Sequence, residues 1–266
     1  MDKLEILRLL RRIKVKPNKK MGQNFALDEK LLELMSREAQ ITNEDEVVEI
    51  GGGMGFLSEK ILEFNPKKLY IYEPDKKLFN FLLNKFKDRS NVVLMNEDYL
   101  RSQTPNHQVN VSNPPFSISS KIFLKVLREH PRVAILTFQK EFANRLVAKP
   151  GTQSYGRLSV ISYFFAEVSI IKTINRLSFF PPPKVDIALV RITPKNKSFE
   201  SIDFRTLECT LKELFKYRLK LLKKAIRFSN IKNKEEVTKS FKEIMEKRVF
   251  QLTPEEFLGL SKVIRF

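Results

Sequence analysis

An α/β fold built on a parallel sheet is predicted by three features of the sequence. First, short apolar segments near residues 46–50, 68–72, 91–95 and 108–112 alternate with helical patterns, which is typical of strands joined by right-handed crossovers. Second, a glycine-rich turn follows the first of these strands, and third, an acidic residue follows each of the next two. Because ligands of open α/β sheets bind beyond the carboxyl ends of the strands, we expect a ligand site at that edge.

Residues 1–20 predict a basic arm that ends near Pro17. Its basic side chains include Arg8, Arg11, Arg12, Lys14, Lys16, Lys19 and Lys20. Two interpretations stay open for this arm, a solvated tail and a segment that binds nucleic acid. An amphipathic helix is predicted next, over residues 28–40.

The strand near residues 46–50 leads directly into a turn that contains Gly51, Gly53 and Gly55. Glycine allows the chain to turn tightly and lets a ligand approach the backbone closely. A helix is predicted from Phe56 onward, so that a strand, a glycine turn and a helix N-terminus together form a nucleotide-type site. Phe56 stands where the dinucleotide fingerprint has its third glycine, which argues against NAD. The alternative is a turn that serves tight packing only.

Two acidic residues follow the next two strands. Glu73 comes after the segment near 68–72, where a carboxylate accepts both hydroxyls of a ribose. Asp98 follows the segment near 91–95, and from there it could accept a hydrogen bond from an adenine amino group. Either acid alone also fits a solvated strand end.

The segment Asn113-Pro114-Pro115-Phe116 ends the strand near 108–112. Proline lacks an N–H group and favours an extended residue before it, so backbone carbonyls around Pro114 have few internal partners. The Asn113 amide oxygen, the Pro114 carbonyl and the Phe116 ring form a receptor for a planar amine such as a flipped adenine. The alternative is a proline-terminated strand followed by a helix cap.

The rest of the chain predicts further elements and a second domain. Residues 132–138 predict a strand and 139–148 a helix, whereas 158–174 fits either helix or strand. A strand near 185–192 follows a run of three prolines. Lys-rich helical patterns beyond Pro194 predict a small helical domain over 195–266, after an α/β domain over 21–194.

Several motifs in one order resemble the rRNA adenine N6-dimethyltransferases. The first motifs are Gly22-Gln23-Asn24-Phe25, Glu49-Ile50-Gly51-Gly52-Gly53, Glu73, Asp98 and Asn113-Pro114-Pro115-Phe116. Others resemble the small-subunit, kasugamycin-resistance branch: Phe138-Gln139-Lys140-Glu141, Arg145-Leu146-Val147-Ala148, Ser154-Tyr155-Gly156-Arg157-Leu158-Ser159-Val160 and Phe180-Pro181-Pro182-Pro183-Lys184-Val185-Asp186. The resemblance runs from about residue 17 to 193.

This resemblance implies a Rossmann-like class I fold that uses S-adenosyl-L-methionine to methylate small-subunit rRNA during ribosome biogenesis. Its implied catalytic residues are Asn113, Pro114 and Phe116. The implied cofactor-binding residues are Asn24, Ala26, Gly51, Gly53, Glu73, Asp98 and Asn113.

Three positions depart from the usual family pattern. Pro114 replaces an aliphatic residue in the catalytic loop, Ala26 replaces a leucine after the Gln-Asn-Phe motif, and Ile187 replaces a serine. The Asn-Pro-Pro-Phe form of the loop is also typical of DNA adenine methyltransferases. The contact at Ala26 involves the backbone in the family, so cofactor binding is expected to survive.

Composition is consistent with a polyanionic partner. The formal net charge is +18 over 266 residues, and such a field favours phosphate backbones. Cys209 is the only cysteine, which predicts a reducing cytoplasm. The two histidines do not suggest a metal site, and neither a membrane span nor a signal peptide is expected. A monomer is the default expectation.

Two other kinds of function stay open from the sequence. The first is methylation of adenines in large-subunit rRNA or DNA, since the same loop serves those enzymes. The second is a ribosome-assembly factor that keeps the fold without catalysis. The small-subunit motifs favour rRNA dimethylation over the former, and the intact Asn113, Glu73 and Asp98 argue against the latter.

Overall fold

The structure is a computed structural model that describes residues 3–17, 22–195 and 201–266. Nine strands lie in this part of the chain: β1 Phe25–Ala26, β2 Glu46–Ile50, β3 Lys68–Tyr72, β4 Val92–Met95, β5 Val109–Ser112, β6 Val133–Gln139, β7 Ala166–Ile174, β8 Phe179–Phe180 and β9 Ile187–Pro194. The first seven helices are α1 Lys3–Arg12, α2 Glu29–Glu38, α3 Phe56–Leu62, α4 Lys76–Lys85, α5 Ser119–Glu129, α6 Lys140–Leu146 and α7 Arg157–Phe165. The last four are α8 Phe204–Leu214, α9 Leu222–Phe228, α10 Lys234–Ser240 and α11 Pro254–Val263.

Seven strands form the central sheet in the order β4-β3-β2-β5-β6-β9-β7. Strands β2 to β6 pair in parallel, whereas β9 pairs antiparallel with β6. The strand order reverses between β2 and β5, so β2 and β5 lie side by side although β3 and β4 separate them in sequence. Such a switch point opens a crevice at the carboxyl ends of the strands. The predicted parallel strands are confirmed.

The helix boundaries follow local chemistry. Asp28 caps α2 by accepting a hydrogen bond from the Lys30 backbone N–H, and Asp75 caps α4 in the same way. Capping by Asp satisfies N–H groups that have no partner within the helix. The predicted helix over residues 28–40 is therefore confirmed as α2, with its ends trimmed to Glu29 and Glu38.

The ambiguous segment 158–174 contains one element of each kind. It begins within α7, in which Leu158, Val160, Ile161 and Phe165 are all buried, and continues as β7. Because the buried apolar residues of α7 point in several directions around the helix, the segment lacks the periodicity that separates a helix from a strand. Tertiary packing, and not the local sequence pattern, therefore determines the secondary structure of this segment.

The chain divides into two compact units. The first consists of the described residues of 1–143 and 169–194, and the second of those of 144–168 and 195–266. The predicted domain 21–194 therefore differs from the first unit in two ways. The predicted domain leaves out α1, and it includes residues 144–168, which belong to the second unit. The segment 144–168 belongs to the second unit because α7 packs against α8 and α11.

Within the predicted arm, residues 3–12 form α1 instead of an extended tail. Ile6 and Leu10 of this helix are buried in a cluster that also contains Phe25, Met54 and Leu78. The basic side chains from Arg8 to Lys16 that were predicted are exposed, and Lys19 and Lys20 lie outside the described residues. Apolar packing accounts for the helix, which the charge pattern alone did not predict.

Candidate active site

The glycine turn after β2 adopts conformations that other residues rarely reach. Gly51 and Gly53 have φ values of +81° and +55°, in the left-handed region that glycine enters at no steric cost. The Gly51 N–H donates to the Tyr72 carbonyl at 2.8 Å, which ties the turn to the end of β3. A Cβ atom on Gly53 would lie 3.0 Å from the Phe25 ring. The turn therefore needs glycine at both positions.

Glu73 lies at the end of β3 and faces this turn. Its Oε2 accepts the Gly53 N–H at 2.8 Å and its Oε1 accepts the Asp75 N–H at 2.9 Å. The residue is only 4% exposed. Burial raises the pKa of the Glu73 carboxyl to about 7, although both backbone donors act in the opposite direction.

Glu49 is a second buried carboxyl group near the turn. Its Oε2 accepts the Ser58 hydroxyl at 2.5 Å. Burial raises the pKa of Glu49 to about 8, the Ser58 hydrogen bond lowers it, and the charge of Glu73 raises it further. The sequence analysis placed Glu49 in the glycine motif but did not assign it to the site.

The Asn113 side chain is held at both ends of its amide. Its Nδ2 donates to the Asn24 carbonyl at 2.8 Å, and its Oδ1 accepts the Thr137 hydroxyl at 2.5 Å. Just before it, the Ser112 hydroxyl donates to Asn110 and accepts the Ile50 N–H at 2.8 Å. These bonds fix the loop after β5 to β2, to β6 and to the N-terminal segment.

The two remaining residues of the predicted receptor occupy different environments. Pro114 is buried, and no hydrogen bond from any residue that the structure describes reaches its carbonyl. Phe116 begins a short 3₁₀ helix and makes an edge-to-face contact with Phe179, with ring centroids 6.2 Å apart. The free Pro114 carbonyl agrees with the prediction that proline removes its internal partners.

A cavity of about 70 Å³ brings five of the predicted site residues together. These are Asn24, Gly51, Gly53, Glu73 and Asn113. Gly22, Gln23, Phe25, Pro74, Leu78 and Pro115 complete the lining. The residues come from four separate parts of the chain: three follow the carboxyl ends of β2, β3 and β5, and the fourth is the segment 22–25.

The other predicted residues do not line this cavity. Asp98 follows β4 with its side chain 47% exposed, and it accepts the Leu100 N–H at 3.0 Å. Ala26 is buried and pairs with Phe179 between β1 and β8. Pro114 and Phe116 lie directly beside the lining residues Asn113 and Pro115.

Thr137 is a site neighbour that the sequence analysis missed. It is fully buried in β6, among the apolar side chains of that strand. A polar residue in such a strand is a detectable signal, since buried hydroxyl groups require a hydrogen-bond partner. Its partner Asn113 becomes apparent only from the pairing of β5 with β6.

Metal sites and membrane spans are absent from the described ranges. No group of three or more histidine, cysteine or acidic residues is placed to hold a metal ion there. In the same ranges, no helix has both the length and the apolar character needed to cross a membrane.

The fold belongs to the class I S-adenosylmethionine-dependent methyltransferases. A dimethyladenosine transferase from Plasmodium falciparum superimposes with a TM-score of 0.77 at 27% identity, over 89% of this chain and 98% of that one. The 23S rRNA methyltransferase ErmE has the same fold, with a TM-score of 0.66 at 23% identity over 90% of this chain and 98% of that one.

The sequence comparisons then define the family. The model for "Ribosomal RNA adenine dimethylase" matches residues 14–265, and the chain belongs to this family of methyltransferases. It is 34% identical to the probable ribosomal RNA small subunit methyltransferase A of Pyrococcus abyssi, over 97% of this chain and 95% of that protein. It is 37% identical to the protein of the same name from Pyrococcus furiosus, over 94% and 92%. The family resemblance predicted from the motifs is confirmed.

Proposed function

We propose that this chain dimethylates the N6 amines of adenines in small-subunit rRNA, on two adjacent adenines, during ribosome biogenesis. The main support for this proposal is that almost the entire chain matches the rRNA adenine dimethylase family. In addition, one cavity is lined by the glycine turn, Glu73 and Asn113. We propose that the protein works as a monomer in the cytoplasm.

The residues around the cavity fit S-adenosylmethionine as the cofactor. Gly51 and Gly53 both have positive φ, and both line the cavity, so the turn presents backbone without side chains to a ligand. Glu73 offers a buried carboxylate for the ribose hydroxyls. Asp98, which follows the strand next to β3, would accept the adenine amino group. When bound, this cofactor supplies a methyl group activated by a positively charged sulfur.

The N-terminal segment would close the cofactor site from the other side. Asn24 lines the cavity and is tied through its carbonyl to Asn113. The backbone at Ala26 lies in the two-stranded sheet formed by β1 and β8. We propose that this segment contributes backbone contacts, so that alanine serves there as well as a larger residue.

For the target adenine, the loop after β5 supplies the contacts. The Asn113 Oδ1 and the Pro114 carbonyl accept the two N–H groups of the exocyclic amine and direct its lone pair toward the methyl group. Phe116 stacks on the base. Correct orientation of two reactants contributes on the order of 7–11 kcal/mol. An adenine leaves its stack at a cost of a few kcal/mol, and this cost is smallest in a loop.

Electrostatics supports an rRNA partner. Within the second unit, Lys220, Lys224 and Arg227 are exposed around α9, and they form no ion pair with a described residue. Cations of this kind bind phosphates without reading the sequence. We propose that this cationic face contacts rRNA while the loop at Asn113 receives the base.

The deciding experiment measures transfer of labelled methyl to three substrates: undermethylated small subunits, large-subunit rRNA and duplex DNA. The wild-type chain is expected to form dimethyladenosine in the small subunit alone, located by mass spectrometry. Asn113→Ala is expected to lose transfer while its cofactor binding is weakened far less, because the amide contacts the amine. Label in another substrate would transfer the assignment to a different adenine methyltransferase. Tight subunit binding without label would favour an assembly factor.

A further inference from the structure

We propose that Thr137 is a positioning residue, which holds the Asn113 amide with its oxygen in place for the target amine. This inference rests on the proposed function, since it concerns the group that receives the adenine. Thr137 does not line the cavity, and it belongs to none of the motifs on which the family resemblance rests.

Strand register explains why these two residues meet. β5 and β6 are parallel neighbours in which Ser112 pairs with Leu136. One position further along, Asn113, which directly follows β5, therefore lies beside Thr137 of β6. Thr137 is fully buried, so its hydroxyl cannot exchange this partner for bulk water.

The two ends of the Asn113 amide have different partners, and this difference fixes its orientation. The Thr137 hydroxyl donates to Oδ1 at 2.5 Å, while Nδ2 donates to the Asn24 carbonyl at 2.8 Å. A flipped amide would bring Oδ1 against the Asn24 carbonyl, where two acceptors would face each other. Thr137 secures the oxygen end, and the Asn24 backbone selects the nitrogen end.

The bound orientation leaves chemistry available for the substrate. An amide oxygen has two lone pairs, and the Thr137 hydroxyl uses one of them. The second lone pair can accept an N–H group of the adenine, next to the free Pro114 carbonyl. Without the hydroxyl, the oxygen loses its only described donor, and the amide can turn away from the geometry that transfer requires.

The test compares Thr137→Val, which keeps the shape and removes the hydroxyl, with Thr137→Ser, which keeps the hydroxyl. We expect Thr137→Val to lower the single-turnover rate about 10- to 100-fold, as misplaced catalytic groups do. The KM for undermethylated small subunits and the Kd for S-adenosylmethionine should change less than about 2-fold. Thr137→Ser should restore most of the rate, and Thr137→Ala should be as slow as Thr137→Val.

Thermal midpoints of all variants, together with wild type and Asn113→Ala in the same assay, separate the outcomes. A wild-type rate in Thr137→Val would overturn the inference, and with Asn113→Ala inactive it would leave the proposed function intact. An equal loss in Thr137→Ser, Thr137→Val and Thr137→Ala, with matching falls in thermal midpoint, would also overturn it in favour of a structural role. No methylation by wild type would instead reject the proposed function.

Discussion

Glu73 combines a buried position with an ionisable group at the predicted ribose site. Its carboxyl accepts two backbone N–H groups, and burial still raises its pKa to about 7. A carboxyl with a raised pKa keeps its proton in the folded protein at pH values where a free glutamic acid is ionised. Cofactor binding at this carboxyl is therefore expected to depend on pH near neutrality.

We predict that affinity for S-adenosylmethionine increases as the pH rises through about 7 and levels off above it. Only the ionised carboxylate accepts hydrogen bonds from both ribose hydroxyls, so each pH unit below the pKa costs up to about tenfold in affinity. Calorimetric titration from about pH 6 to about pH 8.5 measures this effect.

Glu73→Gln is the matched control for that titration. It should bind weakly with a flatter pH profile, and titration of the ligand itself, common to both proteins, cancels in their ratio. Equal pH profiles for wild type and Glu73→Gln would exclude Glu73 as the titrating group.

Among the elements, α1 packs in the same apolar cluster as two residues that line the candidate site. Leu10 is buried against the cluster that contains Phe25 and Leu78, and both of these side chains line the cavity. The Lys77 ammonium also donates to the Lys14 carbonyl at 2.8 Å. Packing of α1 therefore supports the walls of the cavity as well as the stability of the first unit.

We predict that Leu10→Ala lowers the free energy of unfolding by about 2–5 kcal/mol, the usual cost of removing a buried leucine side chain. It should also weaken cofactor binding, because Phe25 and Leu78 lose a packing partner. Arg8→Ala, at an exposed position of the same helix, should change stability by less than about 0.5 kcal/mol. Chemical denaturation measures both variants, and equal effects would show that α1 is not packed as described.

At the level of the entire chain, the formal net charge is +18. A net charge of this sign favours binding of a polyanion, and each neutralised phosphate releases counterions. Exposed Lys220 and Lys224 belong to the second unit, whereas Asn113 and Glu73 belong to the first. We therefore propose that different groups of residues provide the affinity for rRNA and the chemistry on the base.

We predict that the logarithm of small-subunit affinity falls linearly with the logarithm of salt concentration. The double variant Lys220→Glu/Lys224→Glu should bind more weakly and reduce the magnitude of that slope by about 2, roughly one for each phosphate that is no longer neutralised. Lys239→Glu/Lys242→Glu makes the same change of charge at exposed residues of another segment. Equal slopes for the two double variants would show that net charge, and not the face around α9, determines binding.

Local pattern in the sequence was sufficient for the parallel strands, the glycine turn, the capped helix α2 and the family. The strands, the turn and the helix each depend on residues that are close in sequence: β-branched runs, glycines that permit positive φ, and amphipathic spacing. The family depends on several short motifs that occur in one order. The class I fold and family membership are confirmed, while the roles of Asn113, Glu73 and Asp98 stay predictions.

Long-range packing decided the rest. It folded part of the basic arm into α1, because Ile6 and Leu10 pack into a buried apolar cluster while the basic side chains stay exposed. It placed the segment 144–168 in the second unit, where α7 packs against α8 and α11. It also brought Thr137 to Asn113 across two strands. Contacts of this kind depend on sheet register between distant segments, which a single sequence does not encode in any local pattern.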